Sequence, residues 1–244
     1  MTEYFFQTLV PTEDPYIMLF ILFTFLVSGI IKGFLGIGLP AAAMALLTLV
    51  MNPKIAISLL TLPIIFTNVL QFAKANDRLK IVKEYKYFSF LLMLTIFLTS
   101  IFIASYSNEF LTIAIGVSMV IFSLNQLLGF KIKINSNKIW QILFGIISGV
   151  LGGLSSIWSP PVAMYLMARQ ITKEKFIASS GFLLLSGCFP LAAGLIIAEV
   201  FTLETAIKSL IGLIFVLIGF RVGEILRKKI SQNIFITFVL IAFL

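Results

Sequence analysis

One glycine-rich phrase occurs twice in the chain, with a lysine in the first copy where the second has a serine. GIIKGFLG spans residues 29–36 and GIISGVLG spans residues 145–152. Proline follows each copy, as Pro40 after the first and as Pro160 and Pro161 after the second. Because proline suits the first turn of a helix, each copy predicts a helix, a break at the glycines and a new short helix. The start of a helix carries unpaired N–H groups and a partial positive charge, so the pattern predicts two helix termini that bind an anion.

Lys32 is the ionisable residue of the first copy, and its neighbours in sequence are apolar. An ionisable side chain inside an apolar segment is costly, which makes Lys32 a candidate for contacting or attracting an anionic substrate. Two other interpretations stay open: the ammonium group snorkels to an aqueous vestibule, or it pairs with a backbone carbonyl that the break frees. Beside the second helix start, Ser156 and Ser159 offer hydroxyl donors, and Trp158 either forms a cavity wall or packs between helices.

The glycines have a simpler explanation that covers part of the pattern. Small residues four positions apart let two helices approach closely in a membrane, which is one explanation of Gly29 with Gly33 and of Gly145 with Gly149. It does not explain the residues that break the helices, because irregular backbone at membrane depth is tolerated only where it is buried in protein or lines a cavity. Besides the two later prolines, the breaking residues are Gly36, Gly38, Pro40, Gly152 and Gly153.

Two further polar residues of interest lie in the segment TLPIIFTNVLQF, residues 61–72. Asn68 and Gln71 are three positions apart, so they share one face of the predicted helix. They hydrogen-bond either a substrate or a neighbouring helix, and the residues by themselves slightly favour the neighbouring helix.

Membrane-spanning helices must position these residues. Hydrophobic residues make up 60% of the 244, only 11% are charged, and the mean hydropathy is +1.11. Apolar stretches of about 18 or more residues recur, each long enough to cross a hydrocarbon core of about 30 Å as a helix. The net charge of +8 comes from basic residues in short loops, which is typical of membrane orientation and not of nucleic-acid binding. The predicted fold class is an all-α polytopic membrane protein with no nucleic-acid partner.

The apolar stretches predict six full spans and two interrupted segments. The interrupted segments are residues 16–51 and 139–169. The full spans are residues 55–73, 87–105, 110–130, 176–198, 204–220 and 231–244. Fifteen of the eighteen Lys and Arg residues lie in four connections, which are therefore expected to be cytoplasmic: residues 74–86, 131–138, 169–175 and 221–229.

This charge pattern places both ends of residues 139–169 in the cytoplasm and both ends of residues 16–51 outside. Each interrupted segment is then predicted to be a re-entrant hairpin. Residues 1–134 and residues 135–244 each form one repeat of a hairpin and three spans, and since three is odd the second repeat is inverted, as in many secondary transporters. Both chain termini are predicted to be extracytoplasmic. The alternative topology has eight complete crossings and places one basic connection outside, against its charge.

Several kinds of chemistry lack the residues that they need. The chain has no histidine and a single cysteine, Cys188, which removes the commonest general base, proton shuttle and metal ligands. No cofactor and no metal are expected. None of the ten acidic residues is predicted to lie deep in a span, so no dedicated proton relay is predicted, while sodium coupling through backbone carbonyls stays open.

The phrases considered so far resemble the TauE/SafE family of sulfite exporter-like membrane permeases. The resemblance is carried, in the family's order and over nearly the whole chain, by GIIKGFLGIGLPAAAMALL, TLPIIFTNVLQF, GIISGVLGGLSSIWSPPVAMYLMARQITKEKF and GFRVGEILRKKISQNIF. It implies a transporter of small anions such as sulfite, sulfonates and related sulfur-containing or carboxylate anions, often directed outward.

In the family the glycine-rich breaks of the two halves meet around the substrate path. The resemblance therefore implies substrate-binding roles for residues of both breaks, namely Gly33, Gly36, Gly38, Pro40, Gly152, Gly153, Pro160 and Pro161. It also favours Lys32, Asn68 and Gln71, and the predicted binding set is completed by Ser156, Trp158 and Ser159. Ser159 stands where the second break often has glycine, which is a departure that bears on the choice of anion.

The predicted function is export of a small anion, sulfite or another sulfur-containing oxyanion or sulfonate, across the plasma membrane. A negative cell interior would help, since moving one charge through about 100 mV is worth about 2.3 kcal/mol. The expected partners are the anion and the lipid bilayer, with a homodimer as an open alternative. The competing classes are an anion channel, an intramembrane enzyme and a scaffold protein.

Overall fold

The structure is a computed structural model, and it describes residues 15–127, 137–231 and 234. Within these residues every regular element is helical, as the sequence predicts. The ten α-helices are α1 (Pro15–Leu35), α2 (Leu39–Leu47), α3 (Pro53–Ala73), α4 (Arg78–Glu84), α5 (Lys86–Ser100), α6 (Asn108–Leu127), α7 (Lys138–Ser155), α8 (Ser159–Ala168), α9 (Lys173–Ile197) and α10 (Leu203–Lys228). The predicted span at 231–244, the end of the span at 110–130 and the connection 131–138 fall wholly or largely outside the described residues.

Five of these helices are long and apolar enough to cross a membrane, namely α1, α3, α7, α9 and α10. Shorter apolar stretches are Lys86–Ser100, which is α5, and Asn108–Val117, which is the first part of α6. The protein is therefore a helical polytopic membrane protein.

Both predicted interruptions occur, between α1 and α2 and between α7 and α8. The prediction that Gly152 and Gly153 break the second helix is wrong: both are residues of α7, which ends at Ser155, and the turn follows at Ser156, whose φ angle is 59°. Gly36 and Gly38 have φ angles of 77° and 91°, which L side chains rarely adopt, so glycine suits both positions. The limbs on the two sides of each break are unequal. α1 and α7 have 21 and 18 residues, whereas α2 and α8 have 9 and 10.

Some of the predicted boundaries are wrong. The predicted span at 87–105 is shorter, because α5 ends at Ser100 and a 3-10 turn at Ile103–Ser105 follows it. The connection 74–86 contains α4. The helix predicted at 204–220 continues to Lys228, so most of the predicted loop 221–229 is helical and Glu224 is a buried residue of α10. Ion pairs of Glu224 with Lys74 and Arg227 stabilise these last turns.

The glycine-rich face of α1 packs directly on α10. A Cβ on Gly29 would overlap the carbonyl of Val216, and one on Gly33 would overlap the carbonyl of Phe220. The helix-packing explanation therefore holds for this glycine pair. Because the contacts advance in the same order along both helices, α1 and α10 run in the same direction.

The second glycine-rich helix repeats this packing on a different partner. Gly145 of α7 contacts Phe88 of α5, and Gly149 contacts Thr95. The order is again the same along both helices, so α7 and α5 also run in the same direction.

A proline inside α3 is compensated by a serine of α10. Pro63 has no N–H to donate to the carbonyl of Leu59, and the hydroxyl of Ser209 donates to that carbonyl at 2.7 Å. At the other end of the same pair of helices, Lys74 donates to Glu224. These two contacts show that α3 and α10 are parallel.

The equivalent contacts of α9 are with α5. Ser89 donates to Ser186 at 2.9 Å, and a Cβ on Gly194 would overlap the hydroxyl of Ser100, so α9 and α5 are parallel.

Two helix bundles result from this packing. The first contains α1, α2, α3 and α10, and the second contains α5, α7, α8 and α9. The two are reciprocal: α1 and α3 pack on α10 in the first, and α7 and α9 pack on α5 in the second. The main contact between the bundles is α3 against α9, and we call this interface the seam. Across the seam the helices are antiparallel, since Asn68 bonds Cys188 whereas Gln71 bonds Ile177.

Candidate functional site

A small enclosed cavity lies on the seam, with a volume of about 10 Å³. It is lined by both helix breaks and by the middle of α3 and α9, through Lys32, Gly38, Leu39, Pro40, Ile64, Thr67, Asn68, Trp158, Ser159 and Leu184. We call this space the central cavity. It holds about one water molecule at most, so it is closed around its polar groups.

Lys32 is the charged residue of the central cavity, and its side chain is only 1% exposed. Its ammonium nitrogen donates to the carbonyl of Gly36 at 2.8 Å and to the side-chain oxygen of Asn68 at 2.5 Å. The bond to Gly36 agrees with one interpretation from the sequence, in which Lys32 pairs with a backbone carbonyl freed at the helix break. The burial of Lys32 argues against the other interpretation, in which the ammonium group snorkels to water. An ammonium group has three N–H donors, so one remains for the cavity. Among the described residues no carboxylate forms an ion pair with Lys32.

Asn68 is held in one orientation by two helices. Its amide nitrogen donates to the carbonyl of Ile64 at 2.9 Å and to the sulfur of Cys188 at 3.4 Å. Both donors are therefore used within the protein, and the amide oxygen faces Lys32. The opposite orientation of the Asn68 amide would place its NH₂ group against the ammonium group of Lys32, donor against donor, and is therefore unfavourable.

The start of α2 meets the central cavity through its backbone. Gly38 caps the helix in the left-handed region with no side-chain hydrogen bond, and Pro40 is in the first turn. The first backbone bond closes from Ala42 to Gly38, so the N–H groups before it have no acceptor within the helix. This terminus carries the partial positive charge that the sequence predicts.

The start of α8 offers mainly side-chain donors. Its first turn contains Pro160 and Pro161, which have no N–H, so fewer backbone donors are available than at α2. Three buried polar groups near this terminus have no hydrogen-bond partner among the described residues, namely the hydroxyls of Ser156 and Ser159 and the indole N–H of Trp158. Buried polar groups are nearly always paired, so these donors are unusual and two of their residues line the cavity.

The remaining residues of the predicted set lie outside the cavity lining. Gly33 and Gly153 pack against α10 and α5, and Gly152 packs against the ring of Trp158. Gly36 and Gln71 contact one another on one side of the cavity. Pro160 and Pro161 are buried in the first turn of α8, after Ser159.

Sequence reasoning missed part of the site. Ile64, Thr67 and Leu184 line the cavity, and Cys188 bonds Asn68 from α9. Thr67 is adjacent to Asn68 and could have been included from the same helix face. The residues of α9 had no signal in the sequence because apolar side chains and one cysteine are ordinary in a membrane span.

A multi-pass helical protein with a closed polar cavity between two bundles has the architecture expected of a membrane transporter. Residues 21–244 match the family model described as Sulfite exporter TauE/SafE, and the chain belongs to that family. The family consists of transporters and not of enzymes, so the protein is classed as a membrane transporter with a small-molecule substrate. No curated protein and no solved structure matches the chain.

Proposed function

We propose that the protein exports a small anion, sulfite or another sulfur-containing oxyanion or sulfonate, which binds in the central cavity. The observation that carries this proposal is the buried ammonium group of Lys32, which faces the cavity without a carboxylate partner. A buried unpaired charge is costly, and an anion in the cavity would neutralise it.

The cavity has donors on both sides for such an anion. Lys32 and the start of α2 lie on the first bundle, and Ser159 and Trp158 lie on the second. An oxyanion has several acceptor atoms, so it can accept bonds from both bundles at once. The side-chain oxygen of Asn68, which lines the cavity, already accepts from Lys32.

A cavity of about 10 Å³ is too small for an ion of four or more heavy atoms. Loading and release therefore need the two bundles to separate at the seam, first on one side and then on the other. We propose a carrier, in which only one side is open at a time; a channel would open a continuous path through both sides, and counterflow distinguishes the two.

We also propose that residues 1–134 and residues 135–244 form an inverted repeat. The helix directions support this. α1, α3 and α10 run one way, while α5, α7 and α9 run the other way. The two glycine-rich helices, α1 and α7, are thus opposite in direction, and each packs on the second full span of the other repeat.

Both interrupted segments are proposed to return to the side from which they enter. Because α1 and α3 run in the same direction, the chain between them must travel back, and the same holds between α7 and α9. The short helices α2 and α8 lie in these return paths. This is evidence against a single crossing at 139–169, although α1 is longer than half a bilayer requires.

The proposed orientation follows the basic connections, with both termini outside the cell and the protein in the plasma membrane. No carboxylate lines the central cavity among the described residues, which supports transport without a proton relay. Export of an anion is then driven by its gradient and by the membrane potential.

The test is flux from proteoliposomes that contain the purified protein. Vesicles are loaded with sulfite, thiosulfate, a short alkyl sulfonate, a 2-oxoacid or phosphate, and counterflow is measured. We expect saturable flux of a sulfur-containing anion and a loss of about 10-fold or more in Lys32→Met. The matched control is Ser148→Ala, which alters the buried residue at the equivalent position of the second glycine-rich phrase but lies outside the cavity lining. Flux of none of these anions, or equal flux in Lys32→Met, would reject the proposal.

A further inference from the structure

A larger cleft lies next to the central cavity, where α3, α4, α9 and α10 begin or end on the side predicted to be cytoplasmic. Its volume is about 700 Å³. Ten charged residues line it, six basic and four acidic: Lys74, Lys80, Lys173, Lys175, Arg227, Lys228, Asp77, Glu84, Glu174 and Glu224. We call this space the basic cleft. Its excess of positive charge raises the local concentration of small anions.

One turn of α3 separates the basic cleft from the central cavity. Asn68 lines the cavity and Gln71 lines the cleft, and the two side chains share a helix face. The rise over three residues of a helix is about 4.5 Å, so the barrier between the two spaces is thin.

Gln71 fills this barrier. Its amide nitrogen donates to the carbonyl of Ile177 at 2.7 Å and to the hydroxyl of Ser180 at 3.2 Å. Two glycines leave room for the side chain, because a Cβ on Gly36 or on Gly181 would come within 3.2 Å of Gln71. The amide oxygen of Gln71 is buried and has no hydrogen-bond partner among the described residues.

The bonds of Gln71 cross the seam, since Gln71 belongs to the first bundle whereas Ile177 and Ser180 belong to the second. Other hydrogen bonds among the described residues also link α9 to the side of the first bundle. Asn68 donates to Cys188, and Lys173 donates to the carbonyl of Ile230.

The ion pairs beside the cleft, in contrast, tie each wall internally. Glu224 pairs with Lys74 and Arg227, which all belong to the first bundle. Arg227 also donates to the carbonyl of Gly33 at 2.8 Å, which attaches the end of α10 to α1 next to Lys32.

On the opposite wall, Glu84 at the end of α4 pairs with Arg169 after α8 and with Lys175 of α9. Each wall can therefore move as a unit while the seam between them opens.

We propose that the basic cleft is the inner mouth of the anion path and that Gln71 is the gate between this mouth and the central cavity. The role in anion transport rests on the function proposed above, whereas the gating geometry does not. When the seam opens on this side, Gln71 leaves Ile177 and Ser180, and an anion from the cleft reaches Lys32 and Asn68.

The native cysteine provides a test that is independent of transport. Cys188 is the only cysteine of the chain, is buried, and bonds Asn68 on the far side of Gln71 from the cleft. A small thiol reagent that carries a sulfonate, sulfonatoethyl methanethiosulfonate, is added to the purified full-length protein, and modification of Cys188 is followed by mass spectrometry. We expect Gln71→Ala and the shorter amide Gln71→Asn to increase the modification rate about 10-fold or more.

The matched control is Gln141→Ala. Gln141 is also a buried glutamine that joins helices, since it donates to the carbonyl of Glu84 at 3.0 Å and accepts from the N–H of Phe88, but its bonds stay away from the seam. An unchanged rate in both Gln71 variants, or an equal increase in Gln141→Ala, would overturn the gate. Flux in proteoliposomes, measured on the same preparations, separately tests the anion assignment.

A cross-link tests the movement itself. In a Cys188→Ala background, Gln71→Cys and Ser180→Cys are joined across the seam by a short bis-methanethiosulfonate. We expect flux to fall at least about 10-fold and to recover after reduction. The control pair is Ser89→Cys with Ser186→Cys in the same background, where the parent hydroxyls are 2.9 Å apart within the second bundle. Cross-linking this pair with the same reagent should leave its flux at the level measured before cross-linking. Full flux with the seam cross-linked would refute the proposal.

Discussion

The ammonium group of Lys32 donates to the side-chain oxygen of Asn68 at 2.5 Å, which joins the first helix break to the middle of α3. The two residues are 36 positions apart in the chain. Because Asn68 is neutral, it orients the cation without cancelling its charge. The arrangement keeps a positive charge available to a small anion. Whether residue 68 is neutral or acidic therefore determines whether that charge stays available.

We therefore predict that Asn68→Asp preserves the fold and removes transport. The new carboxylate would pair with Lys32 and take the place of the anion's charge. Flux should fall about 10-fold or more. The new ion pair with Lys32 offsets part of the loss of the amide bond to Ile64, so the thermal midpoint of the detergent-solubilised protein should fall less than in a variant that gains no charge. Asn68→Leu is the comparison, since it removes the bond without adding a charge and should lower stability by about 1.5–3 kcal/mol. If Asn68→Asp transports normally, the charge of Lys32 is not what the anion uses.

The glycines of α1 give a second prediction, which concerns stability. A Cβ on Gly33 would overlap the carbonyl of Phe220, and because that atom is backbone the two helices must separate. Gly33→Ala should destabilise the protein by about 1–3 kcal/mol. In contrast, a Cβ on Gly116 of α6 meets nothing within 4 Å, and Gly116→Ala should be neutral or stabilise by up to about 1 kcal/mol. Thermal unfolding followed by tryptophan fluorescence compares the two, and equal effects would show that close helix packing at Gly33 is unimportant.

Local signals in the sequence located the first break well and the second less exactly. Glycine and proline act through the backbone of their own segment, so the turn at residues 36–38 and the new helices that begin near Pro40 and Pro160 could be predicted without knowledge of the fold. Gly152 and Gly153 instead remain helical in α7, where they pack on Trp158 and α5, and the turn lies at residues 156–158. The partners of these segments could not be predicted, because Phe220 lies on Gly33 from the other half of the chain and nothing local specifies that contact. The same reasoning explains Gln71, whose partners Ile177 and Ser180 are more than 100 positions away.

Charge was also an incomplete guide to where a helix ends. The basic residues at 221–229 indicated a loop, but a run of charge is equally compatible with the last turns of a helix beside water. In the structure these residues continue α10, and the carboxylate of Glu224 pairs with Lys74, which lies 150 positions earlier in the chain. A pattern read within one segment could not reveal that pairing.

A third prediction follows for this acidic residue. Glu224→Gln removes the carboxylate that Lys74 and Arg227 share, and it leaves Arg227 largely buried without its counter-charge. The cost should be about 1–3 kcal/mol, below the value for a fully buried pair because the side chain of Lys74 is 52% exposed. The control is Asp77→Asn, which breaks a pair with Lys80 in which both side chains are more than half exposed, and it should change the thermal midpoint little. Equal shifts in the two variants would mean that the Glu224 cluster does not stabilise the wall of the cleft.

The pairing of Pro63 with Ser209 gives a fourth prediction, which a double-mutant cycle can isolate. Proline cannot donate to the carbonyl of Leu59, and Ser209 of α10 supplies the missing donor at 2.7 Å. Ser209→Ala should therefore cost about 1 kcal/mol, because the carbonyl is left unsatisfied in a buried position. In a Pro63→Ala background the chain regains an N–H at position 63, which can bond Leu59 within the helix, and Ser209→Ala should cost much less. The measurement is the free energy of unfolding of the four proteins, and the expected coupling is about 1 kcal/mol. Strictly additive effects would mean that Ser209 acts through another contact, such as its bond from the N–H of Leu62 at 3.2 Å.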